Sequence, residues 1–329
     1  MDVDLPAGKY VVAVSGGVDS VALLHVLVQL QSRGVIPSEA EESSQRKEED
    51  LSASLRSGRD DGKWTFVVAH FDHGIRPDSA EDRRHVQVLA REYGLPFVYH
   101  TANLGPGASE AQAREARYRF LHQVREASEA QAIITAHHQD DLLETVILNL
   151  LRGTGRRGLS SLKSTDVVKR PLLHVPKNEL LRFASREGLR WHEDSTNADE
   201  RYLRNYIRKN LLPRFADSDR EALRTISHRA HELNQAIALQ AANYLHLQPA
   251  RAALDRHSFI MLPHAVAREI MAEWLLQNTG AELSRRMLER LVVAAKTGRA
   301  GSRVDVDRGH WLVIGRGKLV LQTKLKKEG

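Results

Sequence analysis

Residues Tyr10–Ser20 read YVVAVSGGVDS, and this stretch decides the fold. The apolar residues 10–14 predict a buried strand, and the apolar run that begins at Val21 predicts a helix. Between the two, Gly16 and Gly17 allow the backbone to approach a ligand closely. The start of a helix also offers free N–H groups and a positive dipole end. The segment therefore predicts a phosphate-binding turn, with an ordinary glycine-rich turn as the alternative.

The polar residues of this turn add to its chemistry. Ser15 and Ser20 supply hydroxyl groups, and Asp19 can hold Mg²⁺ or cap the helix. The sequence is neither a Walker motif, because Gly-Lys-Ser/Thr is absent, nor Gly-x-Gly-x-x-Gly. The turn is therefore of another phosphate-binding type.

The composition of the whole chain limits its class. Its 329 residues predict two domains, and its formal net charge of +6 favours a polyanionic partner without proving one. The sequence contains no cysteine, which excludes disulfides, thiolate metal sites and cysteine nucleophiles within it. No apolar stretch approaches the ~20 residues of a membrane span, and the first residues lack the pattern of a signal peptide. We therefore expect a cytoplasmic protein with no membrane partner.

Strand and helix patterns alternate over the first half of the chain. Further strands are predicted at residues 64–71, 96–100 and 131–136, and helices at 19–33, 79–93, 109–127 and 137–151. The alternation predicts an α/β fold with a parallel sheet and helices on both of its faces. Segments 15–20, 72–76 and 137–141 follow three of the strands, and ligands bind at the carboxyl ends of strands in such folds. The polar residues of these segments are therefore predicted to form one site.

Two regions depart from this pattern. Residues 35–63 are rich in charged and small side chains, which predicts a disordered surface insertion. After Pro213 the pattern becomes mostly helical, with a loop at 254–258 and short strands near the end. We therefore predict a catalytic domain at 1–213 and a smaller, mostly helical domain at 214–329.

The helix predicted after the fourth strand opens with HHQDDLLET at residues 137–145. His137, Asp141 and Glu144 recur at helical spacing and are therefore expected on one face. A histidine and a carboxylate one turn apart can share a proton, hold Mg²⁺ or orient an amine. An acidic first turn that merely suits the helix dipole is the alternative.

Basic residues recur in three other segments. Arg76 follows the second strand, Arg114 and Arg117 share a helix face with Glu110, and residues 152–158 form a basic loop with glycines. From spacing alone, a solvated charged surface is the simpler interpretation of the helix face.

Taken in chain order, these motifs resemble those of the tRNA(Ile)-lysidine synthetase family within the PP-loop ATP-pyrophosphatase superfamily. The shared stretches are SGGVDS at 15–20, DHGIR at 72–76, SE..AR..RY at 109–118, TAHH.DD..ET at 135–145, RGTG at 152–155, RPL at 170–172, W.ED.TN at 191–197 and RN.IR at 204–208. The resemblance covers roughly residues 9–213 and, more loosely, 214–329. It implies a fold of the adenine nucleotide alpha hydrolase type, without the extra C-terminal domain of longer members.

The resemblance implies an ATP-dependent carbon–nitrogen ligase. Members of the family adenylate the carbonyl oxygen at carbon 2 of the wobble cytidine in tRNA(Ile) with a CAU anticodon. The amine of L-lysine then displaces AMP, which gives lysidine. The implied cofactors are ATP and Mg²⁺, and the implied partners are that tRNA and L-lysine, with a homodimer as a further expectation.

The resemblance also assigns residues to roles. The expected catalytic residues are Asp19, Arg114, His137 and Asp141. The expected ATP-binding residues are Ser15, Gly16, Gly17, Val18, Asp19, Ser20, His73, Arg76 and Gly153. The expected tRNA-binding residues are Arg152, Arg156, Arg157, Arg201, Arg204 and Arg208, with residues 214–329 as a tRNA-binding domain. Asp19 and Asp141 are the expected Mg²⁺ ligands, and Asp141, supported by His137, is the expected general base.

Two other functions stay open at this point. One is a different PP-loop amine ligase that modifies tRNA or a nucleotide, and the other is a non-catalytic RNA-binding module. The lack of cysteine argues against sulfur transfer and against glutamine-dependent production of ammonia. The intact Asp19, His137 and Asp141 argue against a loss of catalysis.

Overall fold

The computed structural model describes residues 3–33, 63–74, 79–102, 104–105, 109–192, 203–248 and 251–324. The chain divides into two compact units, Met1–Ser227 and His228–Gly329. The insertion predicted at 35–63 lies outside the described residues except for Lys63.

The first unit alternates strands and helices, as the sequence predicts. Its elements are β1 (Gly8–Ala13), α1 (Val18–Arg33), β2 (Trp64–Asp72), α2 (Ser79–Glu92), β3 (Phe97–Thr101), α3 (Glu110–Ala127), β4 (Ala132–Ile134), α4 (Gln139–Leu151), α5 (Arg156–Leu159), β5 (Val168–Lys169), α6 (Lys177–Arg186) and α7 (Leu203–Tyr206). A π-helical turn at Ile207–Leu211 and a 3₁₀ turn at Leu212–Arg214 follow.

The strands form one parallel sheet in the order β3-β2-β1-β4-β5. This confirms the α/β fold class. Tyr10, Val11 and Val12 of the central strand β1 are completely buried, because helices cover both faces of the sheet. Strand β1 reads as a continuous apolar run for the same reason. The order also places the carboxyl ends of β1, β2 and β4 side by side.

Local signals fix the ends of two of these helices. Ser109 caps α3, because its hydroxyl accepts from Gln112 N at 3.2 Å while the Gln112 side chain accepts from Ser109 N at 2.9 Å. Gly94 ends the α2 segment with a positive φ of 64°.

Helix α8 (Asp217–His246) contains the division between the two units. The sequence-based boundary after residue 213 falls earlier, because it follows the change in sequence pattern and not the packing. The second unit continues with β6 (Ala253–Asp255), α9 (Arg256–Met261), α10 (His264–Thr279), α11 (Arg285–Thr297), β7 (Arg303–Asp305), β8 (His310–Ile314) and β9 (Lys318–Thr323).

The strands of the second unit form an antiparallel sheet in the order β6-β9-β8-β7. The predicted loop at 254–258 is wrong, because Ala253–Asp255 pairs with β9 and Asp255 then caps α9 by accepting from Ser258 N at 2.7 Å. Trp274 is almost fully buried in the core of this unit. Within the described ranges, no helix combines the length and the apolar character that crossing a bilayer requires.

Candidate active site

The glycine loop between β1 and α1 is organised by one hydroxyl group. Ser20 Oγ accepts from Ser15 N and Gly16 N, both at 3.2 Å, and donates to Gly17 O at 2.9 Å. Gly16 has a φ of +99°, which side chains with a Cβ rarely adopt. Ser20 is buried whereas Ser15 is exposed, so the two predicted hydroxyls differ in access to a ligand. The side chain of Val18 is buried, so only the backbone of this residue is available to contact a ligand.

A cleft of about 400 Å³ opens at the carboxyl ends of β1, β2 and β4. Its polar lining consists of Ser15, Asp19, Ser20, His70, Asp72, His73, Asp82, Arg117, Thr135, His137 and His192. The cleft lies where the sheet topology predicts a ligand site. The predicted residue His73 lines it, and Arg76 lies outside the described residues.

Two carboxylates from different helices meet beside this cleft. Lys177 Nζ donates to both oxygens of Asp19, at 2.6 and 2.7 Å. His138 Nε2 lies 3.6 Å from Asp19 Oδ2 and 3.5 Å from Asp141 Oδ2. One imidazole thus stands between the two carboxylates that the sequence nominates as Mg²⁺ ligands. We call Asp19, His138, Asp141 and Lys177 the carboxylate cluster.

The charges of the carboxylate cluster stabilise one another. Burial alone would raise the pKa of Asp19, but hydrogen bonding and charge from His138 and Lys177 outweigh it, so the pKa is lowered. Burial would likewise lower the pKa of His138, but Asp19 and Asp141 outweigh it, so the pKa is raised. The cluster therefore favours an ionised Asp19 and a protonated His138.

The other histidine of the pair faces a different environment. His137 Nδ1 lies 2.9 Å from Thr135 Oγ1. Burial, together with the positive charges of Arg170, Arg117, Arg114 and Arg204, lowers the pKa of His137 to about 2. His137 is consequently a neutral imidazole. We call these four arginines the arginine cluster.

A buried ion pair links α4 to the segment after α7. Glu144 has no solvent exposure, and Arg208 grips it with Nε to Oε1 at 2.6 Å and one Nη to Oε2 at 3.0 Å. Arg204 lies 3.4 Å from Glu144 and 2.7 Å from Glu110. Burial raises the pKa of Glu144 despite Arg208. The same Arg208 also approaches Asp141 Oδ1 at 3.4 Å, so the pair borders the carboxylate cluster.

The structure separates the two arginines that share a face of α3. Arg117 lines the cleft, and burial together with the neighbouring arginines lowers its pKa. Arg114, the predicted catalytic cation, is exposed, and its guanidinium carbon lies 4.8 Å from the ring centroid of Tyr118. Of these two arginines, Arg117 lines the cleft and Arg114 does not.

The structure does not bring Gly153 to the cleft. Gly153 follows the C-terminus of α4, whose 13 residues separate it from the carboxylate cluster by roughly 20 Å. Gly153 ends the helix with a positive φ of 64°, a conformation that favours glycine. The helix end therefore accounts for a glycine at this position without a role in ATP binding. Arg152 and Arg157 are exposed at the same helix end, and Arg156 is half-buried there.

Arg201 lies outside the described residues. The remaining predicted tRNA contacts, Arg204 and Arg208, are engaged in the ion pairs with Glu144 described above. Their guanidinium groups are therefore held inside the first unit.

Among the cleft and cluster residues to which the sequence reasoning assigned no role are His138, Lys177, Asp82 and His192. His138 is missed because the helix begins at Gln139, so the partner of Asp141 is three residues before it and not four. The helix begins two residues later than predicted, and His138 is the residue that precedes it. Lys177 lies 158 residues from Asp19 along the chain, and no local pattern reveals such a pairing.

The PP-loop domain model matches residues 2–215, so the chain belongs to this family of ATP-binding domains. Curated relatives are named tRNA(Ile)-lysidine synthase. The relative from Solibacter usitatus is 32% identical over 306 residues, which cover 92% of this chain and 59% of the relative. The relative from Thermus thermophilus is 36% identical over 237 residues, 69% of this chain and 40% of the relative.

The relative from Chlamydia pneumoniae is 28% identical over 298 residues, which cover 85% of this chain and 82% of the relative. The chain thus spans about 59% of the length of the Solibacter relative and most of the Chlamydia one. Among solved structures, the U34-tRNA thiolase NcsA from Methanococcus maripaludis matches with a TM-score of 0.50 at 18% identity. This match covers 70% of this chain and 73% of the thiolase. At that identity the match shows a shared fold alone.

Proposed function

We propose that this protein is a tRNA(Ile)-lysidine synthase. The reaction has two steps. The O2 oxygen of the wobble cytidine attacks the α-phosphate of ATP, and pyrophosphate leaves. The amine of L-lysine then attacks C2 and loses a proton, while AMP leaves with the oxygen.

One observation carries this proposal: a phosphate-type glycine loop, Asp19 of the carboxylate cluster and Arg117 of the arginine cluster line one cleft. The substrates of a lysidine synthase carry charges of both signs. A polyphosphate and a polyanionic tRNA require cations, and a lysine requires anions. The names of the curated relatives support the same assignment.

In the first step, the backbone of Ser15–Gly17 and the N-terminus of α1 receive the phosphates. Arg117 lies in the lining of the same cleft and is the cation that we propose to face the α-phosphate, in place of the predicted Arg114. Positive charge at that position stabilises the negative charge that develops as pyrophosphate departs.

Asp19 and Asp141 fit a Mg²⁺ ion that arrives with ATP. Mg²⁺ in nucleotide sites is usually held by one or two carboxylates together with phosphate oxygens and water. The two carboxylates flank one nitrogen atom of His138, although Lys177 engages both oxygens of Asp19. To hold the metal, Asp19 would have to release Lys177. When bound, the ion neutralises charge on the leaving pyrophosphate.

In the second step, the attacking amine must be neutral and must transfer a proton. Asp141 is the proposed acceptor, and the imidazole next to it is that of His138. His137 stays neutral among the arginines, so its proposed role changes from supporting Asp141 to hydrogen bonding with a polar group in the cleft. Glu144 is bound to Arg208 and serves to hold the neighbouring groups in place.

We propose the first 213 residues as the catalytic part and residues 214–329 as a tRNA-binding part, in a cytoplasmic enzyme that can dimerise. Arg152, Arg156 and Arg157 are the proposed phosphate contacts at the far end of α4. Arg201, Arg204 and Arg208 are also proposed, and the last two must give up part of their bonds to Glu144 to contact tRNA.

The decisive experiment is mass spectrometry of an in vitro transcribed tRNA(Ile) incubated with the full chain, ATP, Mg²⁺ and lysine. The expected result is a lysine-sized mass gain on the anticodon fragment, absent when the CAU anticodon is changed to GAU. Pyrophosphate release should depend on both tRNA and lysine. A folded protein that leaves the tRNA mass unchanged would refute the proposal.

A further inference from the structure

His192 packs its backbone directly against the glycine loop. Its N–H donates to Gly16 O at 3.0 Å. Its carbonyl oxygen lies 4.0 Å from the position that a Cβ on Gly17 would occupy. The segment that carries His192 follows α6, so it reaches the loop from a distant part of the chain.

Asp82 on α2 approaches the same loop and also binds the His192 side chain. A Cβ on Gly16 would lie 3.8 Å from Asp82 Cβ. His192 Nδ1 lies 3.0 Å from Asp82 Oδ1, and the His192 ring stacks on His85 with 4.5 Å between the centroids. The imidazole is therefore fixed by a carboxylate on one side and by a ring on its face.

The loop itself does not require this imidazole. The contact between the two segments runs through the backbone of His192, which any residue could provide. Yet Asp82 and His192 both belong to the lining of the cleft, together with Ser15 and Gly17. The His192 side chain is 41% exposed, and among the described residues Nε2 has no hydrogen-bond partner. An oriented, accessible nitrogen beside a phosphate loop has the character of a ligand contact.

We propose that His192, oriented by Asp82, donates through Nε2 to the pyrophosphate part of ATP. This inference rests on the proposed function and adds a residue to its phosphate site. With both nitrogens protonated, Nδ1 donates to Asp82 and Nε2 donates to a phosphate oxygen.

Two substitutions separate this role from a purely structural one. His192→Asn places an amide near Nδ1 and can keep the bond to Asp82, but it has no group at the Nε2 position. His192→Gln places its amide near the Nε2 position. Binding of inorganic pyrophosphate with Mg²⁺ is measured by calorimetry on the full chain, together with the KM for ATP in pyrophosphate release.

We expect His192→Asn to weaken pyrophosphate binding about tenfold and to raise the KM for ATP, because one charge-assisted hydrogen bond is lost. His192→Gln should stay within about threefold of the unsubstituted protein, and Asp82→Asn should fall between the two. The matched control is His310→Asn in the second unit, where His310 Nδ1 lies 2.9 Å from Asp307. This control should leave pyrophosphate binding unchanged.

Equal affinities for the Asn and Gln variants would overturn the inference, whether both match the unsubstituted protein or both are weakened. Circular dichroism on each variant establishes that the fold is retained. Pyrophosphate binding is measured without tRNA and lysine, so it is independent of whether lysidine forms. A protein that makes no lysidine but loses pyrophosphate on His192→Asn would refute the proposed function and keep this inference.

Discussion

The carboxylate cluster and the arginine cluster meet at two consecutive histidines with opposite properties. His138 lies between Asp19 and Asp141, which raise its pKa, whereas the arginines and burial lower the pKa of His137 to about 2. The backbone at His138 is extended, with φ −117° and ψ −176°, and successive side chains of an extended segment point to opposite sides. A single residue step before α4 therefore divides the site into an anionic side and a cationic side.

This difference suits the two substrates that the proposed reaction brings together. In the proposed reaction, the lysine amine faces Asp141, its proposed proton acceptor, and the α-phosphate faces Arg117. The comparison can be tested by removing charge from one side and observing whether the other side responds.

The largest expected effect follows from Asp19→Asn. The substitution removes the anion that pairs with Lys177 and His138, and it removes a proposed Mg²⁺ ligand. We expect pyrophosphate release to fall about a hundredfold. Asp166→Asn, at an exposed position, is the control and should keep full activity. If Asp19→Asn released pyrophosphate at the normal rate, the carboxylate cluster would have no part in the chemistry.

The ion pair that borders both clusters is tested through stability. Glu144→Ala leaves Arg208 beside a buried space without its carboxylate, and we expect a loss of about 2–4 kcal/mol in the free energy of unfolding by urea. The double variant Glu144→Met with Arg208→Met should lose clearly less, because neither partner is left unpaired. Equal losses for the single and double variants would show that the charges are not coupled.

The third prediction concerns the pH dependence of stability on the two sides. The folded pKa of His137 is about 2, below its unfolded value of 6.5, so neutral His137 stabilises the fold above pH 6.5. That contribution is lost as the pH falls below 6.5. The folded pKa of His138 is raised, so its contribution is present below pH 6.5 and is lost as the pH rises through the folded pKa.

Urea unfolding across pH 5–9 therefore distinguishes the two histidines. His137→Gln should reduce the loss of stability on the acid side, and His138→Gln should reduce the loss on the alkaline side. His228→Gln, an exposed histidine paired with Glu232 on α8, is the matched control. If both variants changed the same limb of the pH profile of unfolding free energy, the environments of His137 and His138 would not be opposite.

The sequence predicts the fold well where its signals are local and strong. The buried run at 10–14, the glycine loop and the alternating elements up to Leu151 are all recovered. Strand β5 was not predicted because it has only two residues, Val168 and Lys169, and is defined by its pairing with β4. Helix α6 was also missed, although Pro176 at its start and the helical spacing of the apolar residues Leu180 and Phe183 indicate a helix.

The site is predicted less completely, because its contacts join distant segments. The segments that end β1, β2 and β4 could be nominated from sheet topology, and their residues do line one cleft. The partners of those residues could not be predicted in this way. Lys177 and His192 lie in or just after α6, and no local periodicity connects that region to the loop. Arg204 and Arg208 reach Glu144 in the same way, over about 60 residues of sequence.

The smallest expected effect is that of Lys177→Met, and it tests how the anionic side is tuned. Lys177 contributes to the lowered pKa of Asp19, after His138, so its removal should raise that pKa while His138 keeps it from rising fully. Because Asp19 is proposed to act ionised, the acidic limb of kcat/KM for ATP should move to higher pH, with activity at pH 8 within about threefold of normal. Lys318→Met, at the start of β9, is the control and should leave the profile in place. An acidic limb that stays in place or moves to lower pH would mean that the Lys177–Asp19 pair is a structural link between α1 and α6 and does not tune the site.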